Sequence, residues 1–188
     1  KKVLLAFHKP RGIECTANPN VKKNVISYIN YPIRIYYIGR LDKDSEGLLL
    51  LTNQGELVNK MMRSGNQHEK EYVVTVNKPV TKEFIKKMQD GVPILGTKTR
   101  KCRVIQTGEK SFRIILTQGL NRQIRRMCQY LGYEVKRLKR IRVMNIELGD
   151  LPVGSYREVT AQEMKTLQEM IKDSSETTVI KKERGKKC

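Results

Sequence analysis

A charged loop between two apolar runs is the sequence feature that most constrains this fold. The apolar residues 35–38 end at Gly39, and a second apolar run, 48–51, begins directly after Gly47. Short apolar runs bounded by turn residues are typical of buried strands. The loop between them carries five charged residues, which are Arg40, Asp42, Lys43, Asp44 and Glu46. Because strands on both sides hold such a loop in a fixed geometry, the pattern predicts a functional site there.

Positive charge is clustered along the chain. The formal net charge is +19, and residues 97–142 contain fourteen Lys or Arg against two acidic residues. A surface charged for solubility alone would mix both signs. Clustering therefore favours a nucleic acid as partner over a plain solvated face. A basic amphipathic helix on a membrane fits less well, because the charges fall on predicted strands as well as on a helix.

The composition allows a folded core and excludes several classes of protein. With 188 residues, 38% of them apolar, the chain can form one domain or two packed subdomains. No apolar run approaches the length of a membrane span and no signal-peptide pattern precedes the first strand, so we expect a cytoplasmic protein with no membrane partner. The four cysteines lack zinc or redox spacing, which predicts free thiols and no metal site.

Strands and helices are mixed without regular βαβ alternation, which indicates an α+β fold. Strands are predicted at 3–7, 35–38, 48–52, 72–76, 102–105 and 112–116. Helices are predicted at 56–63, from a Thr81 cap to Gly91, from an Asn121 cap to about Leu131, and after a Thr160–Glu163 capping box. A change of phase along 141–148 predicts a β-bulge between Val143 and Met144. The polar and basic tail, 173–188, is expected to be disordered.

Four motifs occur in the order found in a known enzyme family. Residues 7–12 read FHKPRG, residues 39–53 contain the Arg-Leu-Asp loop, residues 70–74 read KEYVV and residues 119–127 read GLNRQIRRM. Together they resemble the RsuA-like branch of the pseudouridine synthases, over roughly residues 3 to 172. Residues 91–97, with Lys101 and Cys102 after them, are most similar to the F-type large-subunit enzymes of that branch.

The resemblance implies a fold and an activity. The fold is a large, mostly antiparallel sheet in two subdomains, with flanking helices and a central catalytic cleft, formed by residues 1–172. The activity is isomerisation of uridine to pseudouridine in large-subunit rRNA and, as a second substrate, in an anticodon stem-loop of tyrosine tRNA. We expect a monomer that needs no cofactor. Relatives generally carry a small RNA-binding module ahead of the catalytic strand, and we expect that module to be absent from this chain.

The resemblance also implies three catalytic residues. Asp42, directly after Arg-Leu, takes the place of the catalytic aspartate. Tyr72 would place its ring against the target base and its hydroxyl near the proton that leaves, and Arg125 would pair with Asp42. A carboxylate suits this chemistry because it can attack or stabilise an electron-poor centre, and a neighbouring guanidinium keeps it ionised. Whether Asp42 attacks the sugar or deprotonates it stays open.

Other residues of the motifs are expected to bind RNA. An enzyme that acts on a base within folded RNA must extrude that base, and an inserted Arg40 could fill the gap. Asp44 and Glu46 are interpreted as structural residues of the turn. Further RNA contacts are expected from Lys43, Lys70, Asn121, Arg122, Gln123 and Arg126.

Two other functions fit part of the sequence. A catalytically silent RNA-binding factor in ribosome assembly could use the same basic cleft, although a binding protein has no need to keep an acid in a positive groove. A DNA-binding regulator is less consistent with the sequence, which has no helix-turn-helix or zinc pattern.

Overall fold

The computed structural model describes residues 1–63 and 68–172. The strands in this part of the chain are β1 (Leu4–Lys9), β2 (Tyr36–Ile38), β3 (Glu46–Thr52), β4 (Lys70–Val76), β5 (Pro93–Ile94), β6 (Thr97–Lys98), β7 (Arg103–Gly108), β8 (Ser111–Leu116), β9 (Val135–Val143), β10 (Ile146–Glu147) and β11 (Tyr156–Glu158). The helices are α1 (Val25–Ile29), α2 (Gly55–Arg63), α3 (Lys82–Asp90), α4 (Gln123–Tyr130) and α5 (161–172).

Nine of these strands form one sheet in the order β11-β1-β3-β9-β4-β8-β7, with β2 paired to β3 and β10 paired to β9. Strands β3 and β9 run parallel to each other. The other pairs of neighbours in this sheet are antiparallel. The predicted α+β fold with a large, mostly antiparallel sheet is therefore confirmed.

Strand β3 is buried on both faces, which explains its unbroken run of leucines. Leu48 and Leu50 belong to a cluster with residues of α2 and α5. Leu49 and Leu51 point to the opposite face and pack with Phe7 and residues of α1. The half of the sheet formed by β1, β2, β3 and β11 is thus covered on both sides.

The other half has its own apolar core. Helices α3 and α4 cover one face of β4, β7 and β8, and Phe112, Ile114 and Met127 are fully buried between them. Phe84 of α3 meets Phe112 of β8 edge to face, with the ring centroids 5.3 Å apart. Because each half has its own core, the position of one half relative to the other depends on what joins them.

The two halves join through a short parallel contact between β3 and β9. The contact consists of two residue pairs, Glu46 with Lys139 and Gly47 with Arg140. Gly47 has a φ of 113°, and a Cβ atom there would lie 2.1 Å from the carbonyl oxygen of Arg140. Glycine is therefore required at this position for both its backbone conformation and the close approach of the strands.

The helix caps confirm two predictions and correct a third. Thr81 caps α3, and the side chain of Glu163 and the backbone of Thr160 form the reciprocal bonds of a capping box ahead of α5. The predicted Asn121 cap is wrong, because Arg122 occupies the cap position of α4 with a left-handed φ of 48° and makes no side-chain cap bond. The side-chain oxygen of Asn121 instead accepts a hydrogen bond from Arg126, at 2.8 Å.

The predicted β-bulge lies in the expected strand, but its position is wrong. Glu71 pairs with Arg142 whereas Tyr72 pairs with Arg140, so Ile141 is the extra residue. Between Val143 and Ile146 the chain turns into β10, with Met144 in a left-handed conformation. The bulge brings Arg140 and Val143 to the same face of the sheet.

Three cysteines, Cys15, Cys102 and Cys128, are free thiols as predicted. Burial raises the pKa of Cys102 to about 11 and that of Cys128 to about 12. None of the helices in the described ranges is both long and apolar enough to cross a bilayer. The tail predicted at 173–188 lies outside the described residues.

Replacing Gly47 by alanine should destabilise the protein by about 3 kcal/mol or more, since the added Cβ meets backbone atoms of β9 that cannot move aside. For a chain of this size, the melting temperature should fall by roughly 6–12 °C. Gly12→Ala is the matched control, because Gly12 also has a positive φ, of 90°, but has nothing within 4 Å of a built Cβ. Equal losses in the two variants, measured by thermal denaturation, would show that backbone strain alone requires Gly47.

Candidate active site

A cleft of about 770 Å³ lies where the two halves of the sheet meet. Its floor includes residues of β4 and β9, and its walls come from α2, from the loop that contains Asp42 and from the segment leading into α4. Among the described residues that line the cleft, one is acidic, Asp42, and four are lysine or arginine, namely Arg40, Lys70, Arg122 and Arg140. The cleft is therefore suited to an anionic ligand.

The loop that carries Asp42 is held in place by the first motif, residues 7–12, and the turn after it. Lys9 is fully buried, and its ammonium donates hydrogen bonds to the carbonyl oxygens of Pro10 and Ile13 at 2.9 and 2.7 Å. The amide of Gly12 in this turn donates to the carbonyl oxygen of Lys43, at 2.7 Å. Burial lowers the pKa of Lys9, although nearby acids, including Asp42 and Asp44, oppose that shift. The Lys-Pro-x-Gly sequence thus fixes the backbone next to Asp42.

The Asp42 side chain is about one third exposed, and its contact with a cation is to Arg122. Asp42 Oδ2 lies 3.4 Å from Nη1 of Arg122. The backbone of the loop is closed by a hydrogen bond of 3.0 Å from the amide of Ser45 to the carbonyl oxygen of Asp42. A carboxylate held in this way keeps one side open toward the cleft.

The expected ion pair between Arg125 and Asp42 is not formed in the structure. Arg125 instead donates to the carbonyl oxygen of Asp44 and to the hydroxyl of Ser45, both at 3.1 Å. Its Nη1 lies 3.5 Å from the Asp44 carboxylate. Arg125 lies in the first turn of α4 and contacts Asp44 and Ser45, so Arg122 in the cap position is the arginine that reaches Asp42.

Asp44 links both arginines to the loop. Arg122 donates two hydrogen bonds to its carboxylate, at 3.0 and 2.9 Å, and this hydrogen bonding lowers the pKa of Asp44. The interpretation of Asp44 as structural agrees with these contacts. Glu46 is buried and forms an ion pair with Arg137. Burial acts to raise the pKa of Glu46, but the Arg137 partner outweighs it and the pKa is lowered.

Tyr72 lies in the middle of β4, opposite Ile114 of β8 and Arg140 of β9. It is half-buried, packs against the core beneath α4 and lines the cleft. Lys70, two residues earlier on the same strand, also lines the cleft. Burial lowers the pKa of Lys70, and the nearby charge of Arg140 adds to that shift.

The remaining predicted RNA-binding residues are divided between the cleft and the surface. Arg40 is exposed, with its guanidinium 5.9 Å from the ring centre of Tyr37, and Asn121 and Gln123 line the cleft beside Arg122. Gln123 is buried, and its side chain accepts a hydrogen bond from the amide of Leu120 at 3.1 Å. Lys43 and Arg126 do not line the cleft. Lys43 is exposed beside Glu14, and Arg126 bonds to Asn121.

Sequence reasoning missed two residues of the cleft, Arg140 and His68. Both are buried, with exposed fractions of 3% and 4%. Arg140 is one of several closely spaced cations on β9, and from the sequence its side chain could equally have pointed to solvent. The bulge at Ile141 determines which face of the sheet it lies on. The change of phase in the sequence lies between Val143 and Met144, where the chain turns into β10, and so does not mark the bulge at Ile141.

Comparison with known proteins agrees with this geometry. A family model described as RNA pseudouridylate synthase matches residues 3–130. The chain is 54% identical over 173 residues to the dual-specificity RNA pseudouridine synthase RluF of Escherichia coli strain K12, covering 92% of this chain and 60% of that protein. It is 37% identical over 174 residues to the ribosomal large subunit pseudouridine synthase B of Bacillus subtilis, covering 88% of this chain and 71% of the relative.

A solved structure gives the same result for the fold. A crystal structure of a pseudouridylate synthase superposes with a TM-score of 0.80 at 26% identity, covering 88% of this chain and 73% of the other. The chain spans about 60% of the length of RluF from E. coli. The resemblance inferred from the four sequence motifs is confirmed, and this chain belongs to the RNA pseudouridylate synthase family.

Proposed function

We propose that this protein isomerises uridine to pseudouridine in RNA. The observation that carries the proposal is the placement of Asp42, a carboxylate in contact with Arg122 and open to a cleft that Tyr72 and four Lys or Arg residues also line. The cations attract the RNA backbone, and the acid is the group in the cleft that can react with the sugar. An RNA-binding surface without catalysis gains nothing from a carboxylate at its centre.

The reaction breaks the bond between the sugar and the ring nitrogen, turns the base, and forms a bond from the same sugar carbon to ring carbon five. The proton on that carbon leaves and the former glycosidic nitrogen gains one, so the product is an isomer and no oxidant or water is consumed. Asp42 either attacks the sugar or removes a proton from it. The walls of the cleft are proposed to keep the detached base in place while it turns.

Tyr72 and Arg40 are proposed to hold the base and the surrounding RNA. The half-buried ring of Tyr72 offers a surface on which the extruded base can stack, and its hydroxyl is proposed to act at the carbon-bound proton. Arg40, exposed at the rim, is long enough to enter the space that the extruded base leaves. Further RNA contacts are assigned to Lys43, Lys70, Asn121, Arg122, Gln123 and Arg126.

Arg122, in the cap position of α4, and Arg125, in its first turn, are proposed to have separate roles. Arg122 contacts both Asp42 and Asp44, so it is the partner of the catalytic carboxylate. Arg125, with a side chain 15% exposed, holds the backbone of Asp44 and the hydroxyl of Ser45. It therefore acts as a positioning residue for the loop, in place of the direct partnership expected from the sequence.

The names of the relatives support a proposal for the substrate. The relative from E. coli is named a dual-specificity RNA pseudouridine synthase, and the relative from B. subtilis is named for the ribosomal large subunit. We propose large-subunit rRNA as the main substrate and an anticodon stem-loop of tyrosine tRNA as a second one. Residues 1–172 would then form the catalytic domain, in two subdomains, of an enzyme that works as a monomer in the cytoplasm without a cofactor.

Asp42→Asn should abolish isomerisation and leave RNA affinity within a few-fold of the wild type, because the amide has the same shape but is a far weaker nucleophile or base. Release of tritium from ring carbon five of labelled uridine measures turnover. Asp90→Asn removes an exposed acid at the end of α3 and serves as the control. Substantial turnover by Asp42→Asn would exclude the proposed mechanism and favour the silent RNA-binding factor.

Tyr72→Phe should keep RNA binding and lose most of the turnover, since the ring remains and the hydroxyl is removed. Tyr72→Ala should in addition weaken placement of the base by roughly 1–3 kcal/mol, the range measured for stacking of a base on an aromatic ring. Single-turnover rates at saturating RNA separate the two effects. A wild-type rate for Tyr72→Phe would mean that the hydroxyl has no chemical role and that Tyr72 is a residue of the core.

Alanine variants of Arg122, in the cap position, and of Arg125 and Arg126, in α4, should fall into two groups. Arg122→Ala and Arg125→Ala should lower turnover at saturating RNA, because one contacts Asp42 and the other holds its loop. Arg126→Ala should mainly weaken binding, with the slope of log affinity against log salt reduced by about 0.7–0.9 for one lost phosphate contact. Titrations at several salt concentrations, combined with rates at saturation, test this grouping. Identical behaviour of all three variants would contradict the separate roles.

A further inference from the structure

The arginines of β9 differ in how their charges are compensated. Arg137 pairs with Glu46, and Arg142 lies 3.1 Å from Glu71 and 3.2 Å from Glu69. Arg140 is buried, and its Nε donates to the carbonyl oxygen of Leu48 at 2.8 Å. Within the described ranges, no carboxylate lies within ion-pair distance of Arg140. Arg140, the buried arginine of β9, thus has no anionic partner among the described residues.

Lys70 adds a second uncompensated cation beside it. Lys70 and Tyr72 are two residues apart on β4 and share a face, and Arg140 is the cross-strand neighbour of Tyr72. The ammonium of Lys70 has no hydrogen-bond acceptor or acidic partner among residues 1–63 and 68–172. Burial lowers the pKa of Lys70 and the charge of Arg140 lowers it further, as expected for two cations placed close together.

Both cations line the cleft, and the surroundings leave room for a ligand. Gly119 lies over Lys70, and a Cβ built on that glycine would be 3.9 Å from the Lys70 ammonium. His68 lines the same cleft, and its buried Nε2 has no hydrogen-bond partner among the described residues. An additional polar group therefore lies in the cleft without a partner in the part of the chain that the structure describes.

Arg140 is buried and Lys70 is partly buried, and two such neighbouring cations without an acid destabilise a folded protein, because each loses hydration and repels the other. A bound anion removes both penalties. In RNA the anionic group is the backbone phosphate, whereas the carbonyl oxygens of a base are neutral and would leave the charges uncompensated. The uncompensated pair is therefore matched to a phosphate and poorly matched to a base edge.

We propose that Lys70 and Arg140 form a phosphate-binding subsite on the floor of the cleft, which takes a backbone phosphate next to the nucleotide that reacts at Asp42. This inference rests on the proposed function in one respect, namely that the ligand is RNA. Binding the phosphate there fixes the nucleotide at a second point, separate from Asp42 and Arg122. The subsite therefore selects a uridine within a chain over free uridine.

The test is a binding experiment on a stem-loop RNA with one target uridine, in which the phosphate on its 5′ or 3′ side is replaced by a neutral methylphosphonate. The Asp42→Asn background keeps the uridine unconverted. One of the two methylphosphonates should weaken binding by roughly tenfold or more, the loss expected for charged hydrogen bonds. Adding Lys70→Met should weaken binding of the unmodified RNA by a similar factor and abolish the effect of that methylphosphonate.

Lys86→Met, which removes an exposed cation of α3, is the matched control and should leave the methylphosphonate effect intact. Arg140→Lys retains the charge and should keep part of the methylphosphonate effect. Lys70→Gln replaces Lys70→Met if the methionine variant does not fold. If the factor by which Lys70→Met weakens binding simply multiplies the factor for each methylphosphonate, the proposal is wrong. Groups that do not interact contribute additively to the binding free energy. The proposed function is judged separately, from turnover of uridine by the wild-type chain.

Discussion

The close approach of β3 and β9 at Gly47 is the constraint on which the rest of the structure depends. Strand β9 belongs to both halves, because Leu138 packs in the core of the second half and Val143 packs with Leu48 in a core of the first. The parallel contact is two residue pairs long, and it places the backbone of Gly47 against that of Arg140. Because the loop with Asp42 directly precedes β3 and Tyr72 pairs with Arg140, this contact also sets the distance between the two proposed catalytic side chains.

The loop itself is held from both halves of the molecule. From the first half, the turn after β1 bonds to the carbonyl oxygen of Lys43 through the amide of Gly12. From the second half, Arg122 and Arg125 of the α4 region bond to Asp44, and Arg125 also bonds to Ser45. Asp44 thus joins the halves by charge where β3 and β9 join them by backbone contact. A cleft between two parts of a sheet needs such cross-links, since a small rotation of one half would separate Asp42 from the sugar on which it is proposed to act.

The sequence predicted six strands, the charged loop and the family, because those depend on local patterns: apolar runs, glycines and short motifs. The short elements α1, β5, β6 and β11 carry no such pattern and were not predicted. The prediction that Arg125 contacts Asp42 differs from the structure for a physical reason. Arg122 was predicted in the first turn of α4, but it lies in the cap position with a left-handed φ of 48°, so its side chain leaves the chain in a different direction. With Arg122 rather than Asn121 in the cap position, Arg122 reaches Asp42 and Arg125 turns under the loop. The place of Arg140 depends on the bulge at Ile141, which lies between strands far apart in the sequence and so has a weak local signature.

The cations of the cleft differ in depth, and depth determines what each can contribute. Arg40 is exposed at the rim beside the Tyr37 ring, so salt screens its charge and its main effect is on the rate at which RNA arrives. Arg140 is buried beside Lys70 and is screened much less, so these charges act on a phosphate that has already entered. Raising the salt concentration should therefore slow association more than it speeds dissociation. Asp42 then meets a nucleotide that these cations have already oriented. An intramolecular rearrangement that uses no cofactor or water requires such an orientation.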